Sequence, residues 1–404
     1  MLARKPSTPV CPFTIQSLDS GSQEEHLVFL KTSILSIQSV VSDHKEMLIK
    51  CLGRRVEKSS PGQGIFSSSS NNNKPDKNLI TDHSTDGKFS IYSGFFDKKF
   101  VDTLSKRSDV NFVEKVIKIK ANYAVNNTVI IEEDQLKKRA ATSTPTQNGL
   151  PYNLDRIDQK DFPLDGKYNY PTSAGIDIKN AEFEGRASFG GSFCAGCSST
   201  DDNGHGTNVA GIIGGKKYGV ANKATLIAIK VLDQSGQGSS TTVVAGLSYV
   251  ILQHSKRAYS QAINQMISLC SNAGIHVVVS AGDDSSNACN VSPASAPQAI
   301  TVGATEKSTN KITNLTNTGS CVKIFAPGVD IVAAGALLTN SLSKASGTSQ
   351  ACPHVAGTVA LIISKKGNMN PSLMINELIT LSTKNILTNL QNATPNRFLR
   401  IPSP

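Results

Sequence analysis

Short apolar runs without polar alternation recur along the C-terminal part of the chain and predict the strands of a sheet. These runs are Ala224–Leu232, His276–Ala281, Ala299–Val302 and Ile324–Ala326. They alternate with stretches of helical pattern, which are Thr241–Leu252, Gln261–Asn272 and Val355–Ser364. Unalternated strands between helices are typical of a parallel sheet covered on both faces. The pattern therefore predicts an α/β domain with a doubly wound, mostly parallel sheet over residues 151–404.

The N-terminal part has a different pattern. Strands are predicted at Glu25–Lys31, Lys88–Ser93 and Val110–Lys120, and a helix at Asp97–Lys106. Residues 58–78 are rich in Ser, Asn, Gly and Pro, which predicts a disordered insertion. We expect a tail of residues 1–24 and then a small α+β domain over residues 25–122.

Residues 123–150 are polar and predict a linker between the two domains. This stretch contains Lys137-Lys138-Arg139, which is either a processing site or a solvated run of charge. We therefore treat 123–150 as a candidate processing region.

Charge and apolar content exclude several classes of protein. The chain has Lys+Arg 41 and Asp+Glu 31, a net charge of +10, but no basic stripe interleaved with aromatic residues. We therefore predict no nucleic-acid partner. The longest apolar run, Val355–Ile363, is too short for a membrane span, so we predict no membrane partner. The first residues contain no apolar segment of the kind found in a secretory signal.

One segment, Asp201–Gly211, reads DDNGHGTNVAG and places His205 between two glycines at the predicted start of a helix. A histidine in this position can act as a general base. A surface turn histidine is the plain alternative for this segment taken alone.

A second segment, Ala345–Gly357, reads ASGTSQACPHVAG and places Ser349 at a helix N-terminus. The backbone N–H of such a serine can stabilise a developing oxyanion. An N-cap serine is the alternative, and the surrounding pattern favours a nucleophile.

Together the two segments resemble the His and Ser motifs of subtilisin-like serine proteases, nearest the proteinase K-like branch. Further agreement lies in Asn153–Ile157, Ala181–Ala187, Tyr218–Leu232, Ser280–Gly303 and Cys321–Gly328. The N-terminal domain resembles the inhibitory propeptide of these enzymes. The resemblance extends from about residue 25 to residue 390.

The resemblance implies a serine endopeptidase made as a propeptide-inhibited zymogen, in which Ser349 attacks the peptide carbonyl and His205 transfers the proton. It places the substrate between Gly236–Gly238 and the wall formed by Ser280, Ala281 and Gly282. It implies protein or peptide substrates, the chain's own propeptide as inhibitor, a monomer, and no cofactor for catalysis. It assigns no metal ligands, although a structural calcium ion would be compatible.

Three departures from the family pattern bear on activity. Ser173 stands where the family has the triad Asp, 32 positions before His205, and the apolar strand that normally precedes it is absent. A second strand, which normally forms a substrate-binding wall, is absent after Arg257. Asp283 stands at the usual place of the oxyanion-hole Asn, and an ionised Asp cannot donate a hydrogen bond. Asp177 is expected in the loop beyond the triad position, and Asp202 is expected to be a solvated loop acid.

The cysteines and glycosylation sequons point to the secretory route. The resemblance implies a disulfide between Cys289 and Cys321, with two free thiols as the alternative, while Cys194 and Cys197 have no second pair nearby for zinc. Four N-x-[ST] sequons start at Asn126, Asn290, Asn314 and Asn392. We expect an extracellular, secretory or vacuolar location, with the signal peptide not visible in this sequence.

Three hypotheses remain open: a serine endopeptidase, a catalytically impaired pseudoprotease or binding protein on the same fold, and a propeptide-like inhibitor with a vestigial partner. The two absent strands also fit an incomplete gene model.

Overall fold

The computed structural model describes most of the two predicted domains. The described residues are 23–31, 44, 46, 48–49, 55–58, 79–83, 90–120, 130–131, 175–194, 196–250, 260–307, 309–336, 341–391 and 393–401. Several sequence predictions lie outside them, namely Ser173 and the strand before it, the gap after Arg257, residues 59–78 of the insertion, and Lys137–Arg139.

The chain divides into a unit of residues 1–117 and a unit of residues 118–404. In the first unit five strands form a sheet in the order β2-β3-β4-β1-β5. They are β1 (Glu24–Leu30), β2 (Arg55–Lys58), β3 (Leu79–Asp82), β4 (Ile91–Phe96) and β5 (Val110–Lys115). Helix α1 (Lys98–Leu104) starts where Asp97 accepts a hydrogen bond from the Phe100 N–H at 2.8 Å. Its Phe100 and Leu104 pack with Val28 and Phe96 in the core of this unit.

The expected strand Val110–Lys120 is two strands, which corrects the sequence prediction. The first is β5, and the second is β6 (Lys118–Lys120) in the C-terminal unit. The reason is hydrogen bonding, because β6 pairs antiparallel with β10 (Gln237–Ser239). The compact N-terminal unit ends at Ile117, so β6 lies in the C-terminal unit.

The C-terminal unit has the predicted parallel strands, held in two groups. In one group β8 (Ala187–Ser192) pairs in parallel with β9 (Leu226–Lys230). In the other, β11 (Val278–Ser280), β12 (Ile300–Thr305) and β13 (Ile324–Pro327) are parallel neighbours. Among the described residues these groups are separate sheets. The two strands that we expect to be absent would fall at positions in the chain that lie outside the described part.

Helices cover these strands, as the sequence pattern predicts. They are α2 (His205–Gly214), α3 (Ser240–Val250), α4 (Gln261–Asn272), α5 (Thr348–Lys366) and α6 (Pro371–Leu381). Helix α5 is almost wholly buried and packs against α2 and the β11–β13 group. Its Val355 and Val359 share one core with Val302 and Phe325. This packing fixes the start of α5, where Ser349 lies.

The remaining strands form a small antiparallel sheet or extend the β11–β13 sheet. β14 (Ile331–Ala334) and β15 (Leu342–Ala345) form a hairpin, and β7 (Ile130–Ile131) pairs antiparallel with β15. The last strands, β16 (Thr383–Lys384) and β17 (Arg397–Phe398), extend the β11–β13 sheet. The hairpin leads directly into the Gly347 turn before Ser349.

Candidate active site

His205 is the first residue of α2, and a buried carboxylate holds it there. The N-cap residue Gly204 offers no side chain to cap the helix. Instead the carboxylate of Asp201 accepts hydrogen bonds from the Gly204 N–H at 2.8 Å, the Thr207 N–H at 2.8 Å and the Thr207 hydroxyl at 2.7 Å. Asp201 therefore takes over the capping role and sets the position of the His205 backbone. The sequence reasoning missed Asp201, although a capping acid just before a helix start was a usable signal.

The residues that follow the triad position pack directly against this helix start. A Cβ on Gly206 would overlap the carbonyl oxygen of Gly175, so only glycine permits this approach. The Asp177 N–H also donates to the Thr207 hydroxyl oxygen at 2.8 Å. Gly175 lies two residues after Ser173, which itself lies outside the described residues. The expected register of Ser173 beside His205 stays a prediction.

The two remaining nearby acids have other partners. Asp202 bonds Lys230 Nζ at 2.7 Å and the Ser198 hydroxyl at 2.8 Å. Asp202 is an exposed loop acid, as expected from the sequence, and it also pairs with the ammonium of Lys230, whose side chain is 0% exposed. Asp177 accepts from the Lys179 N–H at 3.2 Å in its own turn.

Burial and hydrogen bonding have opposite effects on the pKa values of Asp201 and Asp202. Burial raises the pKa of Asp201, and the bonds from Thr207, Gly204 and Asn203 oppose that effect. For Asp202, burial again opposes ionisation, but the bonds from Lys230 and Ser198 outweigh it and lower the pKa.

Ser349 lies in the first turn of α5, close to the start of α2. The side-chain amide of Gln350 donates to Asn208 Oδ1 at 3.3 Å, and Asn208 Nδ2 donates to Ser343 Oγ at 2.8 Å. These bonds join the residue after Ser349 to the helix that begins with His205. Both predicted catalytic residues are buried, with exposures of 4% for His205 and 8% for Ser349.

His354 lies one turn further along α5 and is completely buried. Its Nδ1 bonds the Gln350 carbonyl oxygen at 2.8 Å, and burial lowers the pKa of its imidazole to about 4. His354 is therefore neutral at physiological pH.

The predicted substrate wall follows β11. Ser280, Ala281 and Gly282 are buried, and the Gly282 N–H donates to the Thr348 hydroxyl oxygen at 3.2 Å. Asp283, at the oxyanion-hole position, accepts from the Thr348 N–H at 2.6 Å. Its carboxylate thus caps α5, whose N-cap residue Gly347 makes no side-chain bond. A hydrogen-bond acceptor, rather than the family's amide donor, stands next to the start of this helix.

The opposite side of the predicted cleft is β10. Gly238 pairs with Ile119 of β6, and the neighbouring pairs are Gln237 with Lys120 and Ser239 with Lys118. Ile119 is 1% exposed. Gly236 forms the turn that leads into β10, donating its N–H to the Asp233 carbonyl oxygen at 3.0 Å. The segment predicted to bind substrate therefore pairs with an extended strand of the chain itself.

The structure contains two disulfides among its described residues. The Cys289–Cys321 bond is present, which confirms the prediction. The second joins Cys194 to Cys197, a bond that the sequence left undecided. Cys352 is buried, as expected.

The described residues contain no group of three or more His, Cys, Asp or Glu side chains suited to holding a metal ion. None of the helices described is both long and apolar enough to cross a membrane.

Comparison with known proteins places the chain in a class. The model of the subtilase family matches residues 155–400, which is more than half of the chain. The protein therefore belongs to the subtilase family of serine proteases, as the two motifs predict.

Individual relatives agree. An extracellular serine proteinase of Thermus sp. (strain Rt41A) is 39% identical over 292 residues, which cover 67% of this chain and 70% of that protein. Cerevisin of Saccharomyces cerevisiae is 31% identical over 412 residues, covering 89% of this chain and 61% of cerevisin. The crystal structure of a cold adapted subtilisin-like serine proteinase matches with a TM-score of 0.58 and 32% identity, covering 64% of this chain and all of that one. The subtilisin-like fold is thereby confirmed.

Proposed function

We propose that this chain is a serine endopeptidase that cleaves peptide bonds by acyl transfer through Ser349 and His205. The observation that carries the proposal is the meeting of two helix starts, where Gln350 beside Ser349 bonds Asn208 on the helix of His205. The resemblance of the two segments to the His and Ser motifs of the subtilase family assigns base and nucleophile to these two helix starts.

The proposed reaction begins when Ser349 Oγ attacks the scissile carbonyl carbon and its proton passes to His205. The carbonyl oxygen becomes an oxyanion near the Ser349 N–H, where the N-terminus of α5 carries partial positive charge. His205 then gives the proton to the leaving amine, and water hydrolyses the acyl-enzyme by the same route.

The proposed enzyme is slow, because two groups differ from the family pattern. The Ser173 hydroxyl carries no charge with which to stabilise the imidazolium, and loss of a triad Asp costs about 10⁴ in kcat. The Asp283 carboxylate would oppose an oxyanion, and loss of one oxyanion donor costs about 10²–10³. Such losses do not multiply.

We further propose that the enzyme is made as a zymogen whose N-terminal domain is an inhibitory propeptide. The pairing of β6 with β10 supports this proposal, because β6 directly follows the N-terminal unit in the chain and occupies the strand to which an extended substrate would add. The substrate would then lie between Gly236–Gly238 and the Ser280–Gly282 wall. A secretory or extracellular location, a monomeric state and catalysis without a cofactor complete the proposal.

A covalent probe tests the proposed activity. Full-length protein is treated with a fluorophosphonate, which we expect to label Ser349, with Ser349→Ala and His205→Ala as controls. Labelling that persists in Ser349→Ala, or soluble processed protein that is not labelled, would count against a peptidase.

The second candidate is a non-catalytic binding protein on this fold. Asp283 favours it, since its carboxylate already accepts the Thr348 N–H beside the site. This candidate predicts that residues 123–150 are not self-cleaved. Cleavage there that disappears in Ser349→Ala would exclude it.

A further inference from the structure

The side chain of Asn317 is completely buried and bonds only one segment through its amide group. Its Oδ1 accepts from the Asp284 N–H at 3.0 Å and from the Ser286 N–H at 2.9 Å. Its Nδ2 donates to the Ala281 carbonyl oxygen at 3.0 Å. All three bonds end on residues 280–286, which we call the substrate loop because it carries the Ser280–Gly282 wall and Asp283.

Backbone contacts from Asn317 fix the same loop. Its N–H donates to the Gly282 carbonyl oxygen at 2.8 Å. Gly282 has φ +106°, and a Cβ there would overlap Asn317 Nδ2. A side chain at this position would therefore be strained and would also displace the amide.

The other side of the substrate loop touches the start of α5. Gly282 donates to the Thr348 hydroxyl, and Asp283 accepts the Thr348 N–H. Ser349 is the next residue. If the substrate loop moved where Asn317 holds it, Thr348 would therefore move as well, and Thr348 is adjacent to the proposed nucleophile.

We propose that Asn317 is a positioning residue that holds the substrate loop in register with Ser349, an inference that rests on the proposed peptidase function. The amide suits this role because it donates and accepts at once, closing the loop between Ala281 and Ser286. Neither alanine nor an ionised carboxylate can make both kinds of bond. Buried amides that lose their partners are costly, so the loop has one preferred path.

The experiment compares Asn317→Ala with Asn396→Ala in the full-length protein. Asn396 is a matched control, because its amide also bonds backbone in both directions, to the Leu387 N–H and carbonyl oxygen at 2.9 Å each. Its partner lies outside the substrate loop. Amide hydrogen exchange, Ser349 labelling and peptide hydrolysis are measured for wild type and both variants.

We expect Asn317→Ala to speed exchange of the Asp284 and Ser286 amides about 10-fold. We expect kcat/KM to fall about 10- to 100-fold, with KM raised as well as kcat lowered, because the wall and its neighbour are displaced together. A purely structural loss would reduce the amount of folded enzyme, lowering apparent kcat and leaving KM unchanged. Asn396→Ala should show only that second pattern.

Unchanged exchange at Asp284 and Ser286, or an unchanged KM in Asn317→Ala, would overturn the proposal. If wild-type protein neither hydrolyses peptides nor labels at Ser349, the proposed function fails. The exchange measurement then decides alone whether Asn317 holds the loop, with faster exchange at Asp284, Ser286 and Thr348 supporting it and equal exchange refuting it.

Discussion

Replacing Asp201 by alanine should strongly destabilise the C-terminal unit, because its carboxylate accepts four hydrogen bonds, two of them from the fully buried Thr207. The carboxylate is 2% exposed and accepts from the Gly204 N–H, the Thr207 N–H and the Thr207 hydroxyl at 2.7–2.8 Å. A buried donor without a partner costs about 1–3 kcal/mol. Part of this is offset because the buried charge disappears, so we expect a loss of about 3–4 kcal/mol. This is a large share of a typical stability of about 5–15 kcal/mol.

Urea unfolding followed by circular dichroism measures this loss, since the chain has no Trp to report by fluorescence. Asp201→Asn keeps one acceptor oxygen and should cost about 1 kcal/mol. Asp233→Ala is the control, because that carboxylate accepts three bonds, from Ser235 and Gln237, in a solvent-accessible turn.

The control should therefore cost less than about 1 kcal/mol. A loss in Asp201→Ala no larger than in Asp233→Ala would refute the claim that burial makes this cap important. Equal losses in Asp201→Ala and Asp201→Asn would refute the role of the acceptor oxygens.

Three other predictions concern stability. Asp202→Ala should lower the free energy of unfolding by about 3 kcal/mol, which is more than the loss for Lys230→Met. The reason is that Asp202→Ala leaves the wholly buried ammonium of Lys230 unpaired, whereas Lys230→Met leaves the 31% exposed carboxylate of Asp202. Urea midpoints in the reverse order would contradict this. Removing the Cys289–Cys321 disulfide, whose cysteines are 32 residues apart, should lower the free energy of unfolding by about 4 kcal/mol. Removing Cys194–Cys197, whose cysteines are 3 residues apart, should lower it by about 2 kcal/mol. Equal urea midpoints for the two double alanine variants would argue against the dependence on loop length. In the N-terminal unit burial opposes ionisation of Asp109, but the bonded guanidinium and imidazole beside it lower its pKa to about 2, below about 3.9 for an unfolded chain. The group therefore contributes about 1–2 kcal/mol above pH 4, which is lost as pH falls towards 2, and acid titration of Asp109→Asn should lack that loss.

The sequence determined the class of the protein and predicted its nucleophile and base, for a local physical reason. His205 lies between two glycines at one helix start, and Ser349 lies two residues after Gly347 at another. These are properties of short segments, so they can be recognised without tertiary structure. The same holds for the strands β9, β11, β12 and β13, which are buried on both faces and therefore appear as unbroken apolar runs.

Other features depend on partners far away in the chain, and only the tertiary structure decided them. The expected strand Val110–Lys120 breaks because Lys118–Lys120 finds hydrogen bonds on β10, more than a hundred residues later. Asp202 is exposed, as expected, but only the fold shows that the buried Lys230 of β9 pairs with it. Asn317 looks like an ordinary loop residue until the fold brings it against the substrate loop. The local sequence pattern shows whether a segment is buried and with what period its apolar residues recur. The partner of that segment is decided by packing between segments that are distant in the chain.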